Sequence, residues 1–486
     1  MDRHKEVNAI DTKSKELWQT IIKVTENMDS EVARSLRISL LVKLQSIRGL
    51  KIKRIIKNYL TLGKWAVTAS KKSASRVSKD VVFCFPHITP SNMQNLIPVA
   101  RKAKEKALRC GIITGGYFSE HLKEFADDTS IIPRSELFSF RNDTGRKSYL
   151  RDTIKAYNAL IHAFDESDPT LSSGLKCYRD EILREVYLSI RVGSSIEHLL
   201  RAWKPACVVS TSDFWPFEYQ VNYQASRLGI PSFVIQHGIT NYFWWPFVSH
   251  MYLVWGELFR QEMLQLGTPV NRVRSCGMPA TDDIFKKFDE TKQRMTVSKP
   301  PICLILSQTH GLGFEPELFR QYGILLKKIV MSNASVRWKI KLHPVESDQF
   351  YRELGNEVYK KLEIYPKNVT LDQAVGEADF VSTVYSTAGL EAMIMQRPLI
   401  VFDISPRVRE FAWWPLYGGG TFIGTEQKFT DYVDKITSNG NYSGGILEKQ
   451  KEFLSAAFEN RGCAADAVVN IIERTCAQSN DAHVRS

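Results

Sequence analysis

Short, almost wholly apolar runs recur along the chain from residue 81 onward. Val81–Phe85, Ala206–Ser210, Ser232–Gln236 and Met251–Trp255 are each closed by turn-forming residues: Pro86, Thr211–Asp213, Gly238 and Gly256. A continuous apolar run of this length bounded by turns predicts a strand covered on both faces, as in a parallel sheet. Helix-period spacing over Asn95–Leu108, followed by a strand near Ile112–Ile113, adds the strand–helix–strand signature of that architecture. Residues 120–200 read as mostly helical and charged. A second series begins after the Lys- and Pro-rich stretch Lys286–Pro301. Its strands are Ile302–Ser307, Val336–Leu342, Phe380–Ser382 and Leu399–Phe402, with helices near Glu315–Met331, Ser347–Lys361, Leu371–Val375 and Thr387–Met395. The pattern predicts an α/β protein of two Rossmann-like, doubly wound parallel-sheet domains facing a cleft. The expected division is a helical extension over 1–80, an N-terminal domain over 81–290, a C-terminal domain over 291–476 and a disordered tail over 477–486.

Charge changes this picture only at the N-terminal end. Residues 34–79 hold thirteen Lys or Arg and no Asp or Glu, enough to account for the whole net charge of +12. Leu36, Leu40, Leu44, Ile47 and further apolar positions recur between them, the mark of an amphipathic helix with a cationic face. Such a face suits an anionic membrane surface or plain solvation of a helix packed on the protein; nucleic acid is not the expected partner. The polar start Met1–Glu6 lacks the apolar core of a secretory leader, and no run of eighteen apolar residues occurs. The expected location is cytoplasmic, with peripheral attachment to the inner face of the plasma membrane through 34–79. The eight cysteines are scattered without a C-x-x-C pair and read as reduced core thiols.

In open parallel sheets ligands bind beyond the carboxyl ends of strands, so chemistry is sought there. One predicted strand ends Lys341-Leu342-His343-Pro344. Lys341 and His343 are two apart and share a face, and both can donate to phosphate oxygens; a turn histidine is the plainer alternative. Ser382 ends the next strand, and Ser386-Thr387-Ala388-Gly389-Leu390-Glu391 leads into an apolar helix. A helix N-terminus offers backbone N–H groups to a diphosphate, and Glu391, one turn in, can accept from two ribose hydroxyls. A capping arrangement would explain Ser386 and Thr387 equally well. Gln308 and His310 follow the first strand of the second series and are candidate lining residues of the same site. In the N-terminal half, Asp213 and Gln236-His237-Gly238 end strands. Asp213 and His237 are the candidate general bases, with an N-cap and a structural histidine as their alternatives. Gln236, Gly238, Trp244 and Trp245 are candidates for the acceptor side, since indole faces stack on sugar rings; packing is the alternative for the Trp pair and for Phe411–Pro415.

Taken as a set, Lys341–Pro344 and Ser386–Glu391 resemble the paired "HP" and "S" motifs of bacterial GT-B glycosyltransferases that build surface polysaccharides. That superfamily includes polysialyltransferases, capsule Kdo transferases and CDP-glycerol glycerophosphotransferases. Gln236-His237-Gly238, Tyr252–Glu257 and Cys276-Gly277-Met278-Pro279 are similar to it too, so the resemblance spans about residues 205–425. It implies a GT-B fold, donor phosphate held by His343, Ser386 and Thr387, and ribose held by Glu391. The implied reaction is metal-independent transfer from a nucleotide-sugar donor to a glycan or glycolipid acceptor, as in capsule or lipopolysaccharide synthesis. No cofactor and no metal are expected, since no D-x-D triplet stands at a strand end. A GT-B-fold sugar-nucleotide 2-epimerase and a catalytically silent scaffold in a polysaccharide assembly complex are the rival readings.

Overall fold

A computed structural model describes residues 78–85, 90–114, 122, 125, 130–133, 146–167, 172–173, 176, 179–213, 215–240, 248–288, 297–308, 316–343, 346–438 and 440–485. The chain forms two compact units. The first comprises the described residues through Trp255, then Phe259–Ala280 and the segment from Cys463 onward; the second comprises Gly256–Leu258 and Thr281–Gly462.

The first unit is built on seven parallel strands: β1 (Val81–Phe85), β2 (Cys110–Thr114), β3 (Ser130–Pro133), β4 (Cys207–Ser210), β5 (Ser232–Ile235), β6 (Met251–Val254) and β7 (Val273–Ser275). Their order is β3-β2-β1-β4-β5-β6-β7, with Val81 opposite Cys110 on one side and Cys207 on the other. Each residue of β1 is buried, which is why the run shows no polar alternation. Val81, Phe83 and Phe85 face one core, with the helices Pro90–Glu105 and Ala464–Arg485. Val82 and Cys84 face the other, with Arg179–Trp203 and Pro216–Arg227. Trp203 lies on the backbone of Gly111, where a Cβ would come within 2.8 Å of its ring.

The second unit has six parallel strands: β8 (Ile302–Leu306), β9 (Arg337–Lys341), β10 (Leu362–Ile364), β11 (Phe380–Thr383), β12 (Leu399–Phe402) and β13 (Thr421–Ile423). Their order is β10-β9-β8-β11-β12-β13. In both sheets the direction of winding reverses beside the first strand, between β1 and β4 and between β8 and β11. Crevices open at such reversals, beyond the carboxyl ends of the strands.

Three sequence expectations require correction. The boundary between units falls at 280/281, not near 290. The C-terminal segment belongs to the first unit, not to the second. Residues 477–485 continue the helix Ala464–Arg485 and are not a disordered tail. Val468, Val469, Ile472 and Cys476 recur at helical spacing and bury in the first core, while Lys106 bonds Glu473 at 2.6 Å. This packing orders a segment whose last turns are polar in composition. The short strands β3, β7, β10 and β13, which are the four edge strands of the two sheets, were also not apparent from apolar runs. The basic extension lies outside the described residues except for 78–80. Among the described residues six cysteines are buried without a disulfide, and Cys463 is exposed. Among the described residues no helix is long and apolar enough to cross a membrane.

Candidate functional site

The second unit gathers its candidate residues at the carboxyl ends of β8, β9 and β11. Ser307 and Gln308 follow β8 directly. Ser307 N–H donates to Lys341 O at 3.1 Å, extending the β8–β9 ladder. His343 follows β9, and its backbone N–H donates to Ser307 Oγ at 2.8 Å. The Ser307 hydroxyl in turn donates to Glu346 Oε2, and Glu346 N–H donates to His343 O at 2.9 Å. The turn carrying His343 is thus fastened to the end of β8 by one serine and one carboxylate. Glu346 was not selected from the sequence; the available signal was a carboxylate two residues past the strand-ending proline.

Lys341 is half-buried, and among the described residues its Nζ reaches only Lys367 O, at 3.5 Å. Burial lowers its pKa and that of His343. Gln308 is buried, and its Oε1 has no hydrogen-bond partner among the described residues.

After β11 the chain turns through Val384–Thr387 into the helix Ala388–Ile394. Thr383 Oγ1 accepts from Ser386 N–H at 3.2 Å, and Ser386 Oγ accepts from Ala388 N–H at 3.3 Å. Gly389 N–H and Leu390 N–H donate to the carbonyls of Ser386 and Thr387. The first helical N–H groups are therefore committed locally, which corrects the expectation that they are offered to a phosphate. Ser386 does the capping. Thr387 is already helical at φ −61° and its side chain makes no cap bond. Gly389 lets this helix lie close on the sheet, since a Cβ there would meet Leu399 and Thr383 at 3.2–3.3 Å.

Glu391 is half-buried on that helix, with no hydrogen bond or ion pair to any described residue. Burial, with a smaller contribution from the charge of Asp372, pushes its carboxyl up to about 7. Ser382 is not a donor-site residue. It is fully buried and its hydroxyl reaches Leu304 O and Cys303 Sγ inside the sheet. Trp413 and Trp414 are also buried in this unit, which places them in its core and not on a ligand surface. His310 lies outside the described residues, as do Trp244 and Trp245.

In the first unit, Asp213 follows β4 and is 3% exposed. Its Oδ1 accepts from Asn222 Nδ2 and Ser249 Oγ at 2.7 Å each, and its Oδ2 from the N–H groups of Val248 and Ser249 at 2.9 Å each. Burial raises its pKa against the pull of these donors. A carboxylate occupied on both oxygens by protein donors has no lone pair to turn toward a substrate, so Asp213 fastens the β4 loop and does not serve as a general base. Gln236 is likewise structural. It is fully buried, its Nε2 donates to Gly238 O, and its Oε1 and O accept from Trp255 N–H and Nε1–H at 2.9 Å.

His237 is half-buried, with Nδ1 2.5 Å from Thr211 O. A carbonyl only accepts, so Nδ1 carries the proton and Nε2 is the lone-pair nitrogen. Burial drives its pKa down to about 4. A Cβ at Gly238 would meet no described residue within 4 Å, so neither packing among the described residues nor a positive φ demands glycine there. Among the described residues no group of three His, Cys, Asp or Glu is placed to hold a metal ion.

No family model matches the sequence, and no curated protein matches it. Solved structures do match the fold. UDP-GlcNAc 2-epimerase from Neisseria meningitidis, solved with UDP-GlcNAc, aligns at TM-score 0.53 and 13% identity, covering 81% of this chain and 99% of that one. The enzyme of the same name from Methanocaldococcus jannaschii gives 0.51 and 13%, covering 81% and 99%. A putative UDP-N-acetylglucosamine 2-epimerase from Listeria monocytogenes gives 0.52 and 12%, covering 82% and 96%. The fold is of the two-domain GT-B type. At such low identity the likeness carries the fold alone.

Proposed function

We propose that this protein is a nucleotide-sugar enzyme whose second unit grips the nucleotide part of the donor, and that it transfers the sugar to a glycan or glycolipid acceptor. The observation that carries this reading is Glu391: a half-buried carboxylate without a partner among the described residues, in the first turn of the helix that follows β11. Such a carboxylate is an acceptor in want of donors, and the vicinal hydroxyls of a ribose supply two. With the ribose there, Lys341, His343 and the Thr387 hydroxyl are assigned to the phosphates. Their charge and hydrogen bonds stabilise the leaving phosphate as the glycosidic bond breaks, without a metal. On the acceptor side, His237 Nε2 accepts the hydrogen bond of the attacking hydroxyl and orients it. At a pKa of about 4 it is a weak base, so its role is positioning more than proton storage.

A second reading, sugar-nucleotide 2-epimerisation, is favoured by the likeness to the Neisseria epimerase fold. Incubation with CMP-, CDP-, UDP- and GDP-sugars, with and without glycan acceptors, separates the readings. Transfer or donor hydrolysis is expected, lost in His343→Ala without loss of folding. Epimerised donor without transfer would establish the second reading, and absence of any nucleotide binding would leave a scaffold. The proposed partner of residues 34–79 is an anionic inner-membrane surface. Deleting them is expected to abolish sedimentation with anionic liposomes; unchanged sedimentation would remove this partner.

A further inference from the structure

The Glu346–Ser307 pair is not needed to explain the sheet, and its position asks for a role. Glu346 is 8% exposed. Only one of its oxygens is bonded, to the Ser307 hydroxyl; Oε1 is buried with no partner among the described residues. Burial pushes its carboxyl up to about 6, against the stabilising bonds from Ser307 and the backbone. A half-satisfied carboxyl is a poor way to stabilise a fold, because a buried polar atom left unpaired costs about 1–3 kcal/mol. Two tyrosines close the site: Tyr322 from the helix Pro316–Ser332 and Tyr351 from Gln349–Glu353 are both fully or almost fully buried within electrostatic reach of Glu346. What the carboxylate does accomplish is orientation. By taking the hydroxyl proton of Ser307 into a hydrogen bond, it turns an Oγ lone pair toward the N–H of His343. The His343 backbone is therefore held at both ends, through its N–H to Ser307 and through its carbonyl to Glu346 N–H.

We propose that Glu346 is a positioning residue for donor binding: acting through the Ser307 hydroxyl, it holds His343 where the imidazole meets the donor phosphate. The proposal rests on the reading of His343 given above. It makes the serine a relay, so the two side chains act as one unit.

Calorimetric titration with the nucleoside mono- and diphosphates of cytidine, uridine and guanosine tests it, using full-length wild type, Glu346→Ala, Glu346→Gln, Ser307→Ala and His343→Ala. Losing a hydrogen bond to a charged group is expected to weaken nucleotide binding about 10- to 100-fold in Glu346→Ala. The Gln variant keeps a carbonyl to accept the serine hydroxyl, so it is expected to restore most of that affinity. In a His343→Ala background, Glu346→Ala is expected to change affinity little further, and the Ser307→Ala, Glu346→Ala double variant is expected to be no weaker than either single one. Equal affinity in wild type and Glu346→Ala overturns the proposal while leaving the site reading intact. So does full additivity with His343→Ala, which marks a merely structural carboxyl. Equal affinity in wild type and His343→Ala, or no nucleotide binding by wild type, overturns the reading of His343 and the proposal with it. Thermal melting of each variant shows whether it is folded, and Ser307→Ala carries the test if Glu346→Ala does not fold: it is expected to weaken nucleotide binding about 10- to 100-fold, and wild-type affinity in it overturns the proposal.

Discussion

Asp213 and Glu391 are both acidic residues near strand ends, and the donors around each separate their roles. Asp213 has four, from Asn222, Val248 and Ser249. Asp213→Asn places an amide N–H₂ against donors, and a buried network broken on one side is costly. A loss of about 2–4 kcal/mol in urea unfolding is expected, while the specific activity of the folded fraction is retained; a folded but inactive variant would restore the base reading. Glu391 has no donor among the described residues, and its burial has a pH signature. With its carboxyl at about 7 when folded against an ordinary 4.5, the folded chain holds a proton that the unfolded chain has released. Stability is therefore lost as pH rises from 4.5 to 7. Glu391→Gln is expected to recover about 1–2 kcal/mol at pH 8 and nothing at pH 4, and to weaken nucleotide binding. Urea melts at the two pH values check the first, and a stability gain that is equal at both would contradict the assigned shift.

At the scale of elements, the loops that carry the candidate residues are short and fastened by single side chains. Thr383 and Ser386 fold the β11 turn on itself, and Ser307 fastens the β9 turn. The helix Ala464–Arg485 shows the other kind of dependence, since it leaves the second unit's stretch of sequence and completes the first unit's core. Ile472 is fully buried there. Ile472→Ala is expected to destabilise by about 2–5 kcal/mol, read as a lower urea midpoint of the first unit. An effect below about 0.5 kcal/mol, the size of an ordinary surface change, would mean that the helix is peripheral.

For the molecule as a whole, the assigned donor site lies within the second unit. A nucleotide that binds only the folded form is expected to stabilise that unit by about 2.7 kcal/mol at a hundredfold excess over Kd. For a unit of this size the melting temperature is expected to rise roughly 5–10 °C, and the rise to vanish in His343→Ala at the same concentration. Differential scanning calorimetry reads this directly; a nucleotide that shifts only the first unit's transition would relocate the donor site.

The strands at the centre of each sheet, their parallel arrangement and the strand-end placement of His343, Ser386 and Glu391 could be read from the chain, because each depends on apolar runs and turn residues that are local. Edge strands such as β3 and β13 escaped, since half-exposed residues break the apolar run. The roles of Asp213, Gln236 and Ser382 escaped as well. Whether a polar side chain serves a ligand or the fold depends on which donors and acceptors surround it. For Asp213 the two closing N–H groups come from 35 and 36 residues away, and for Ser307 the partner carboxylate comes from 39. Local sequence carries the period that builds a strand. Only the folded chain brings those distant groups together and so decides which polar atoms are already satisfied and which are left for a substrate.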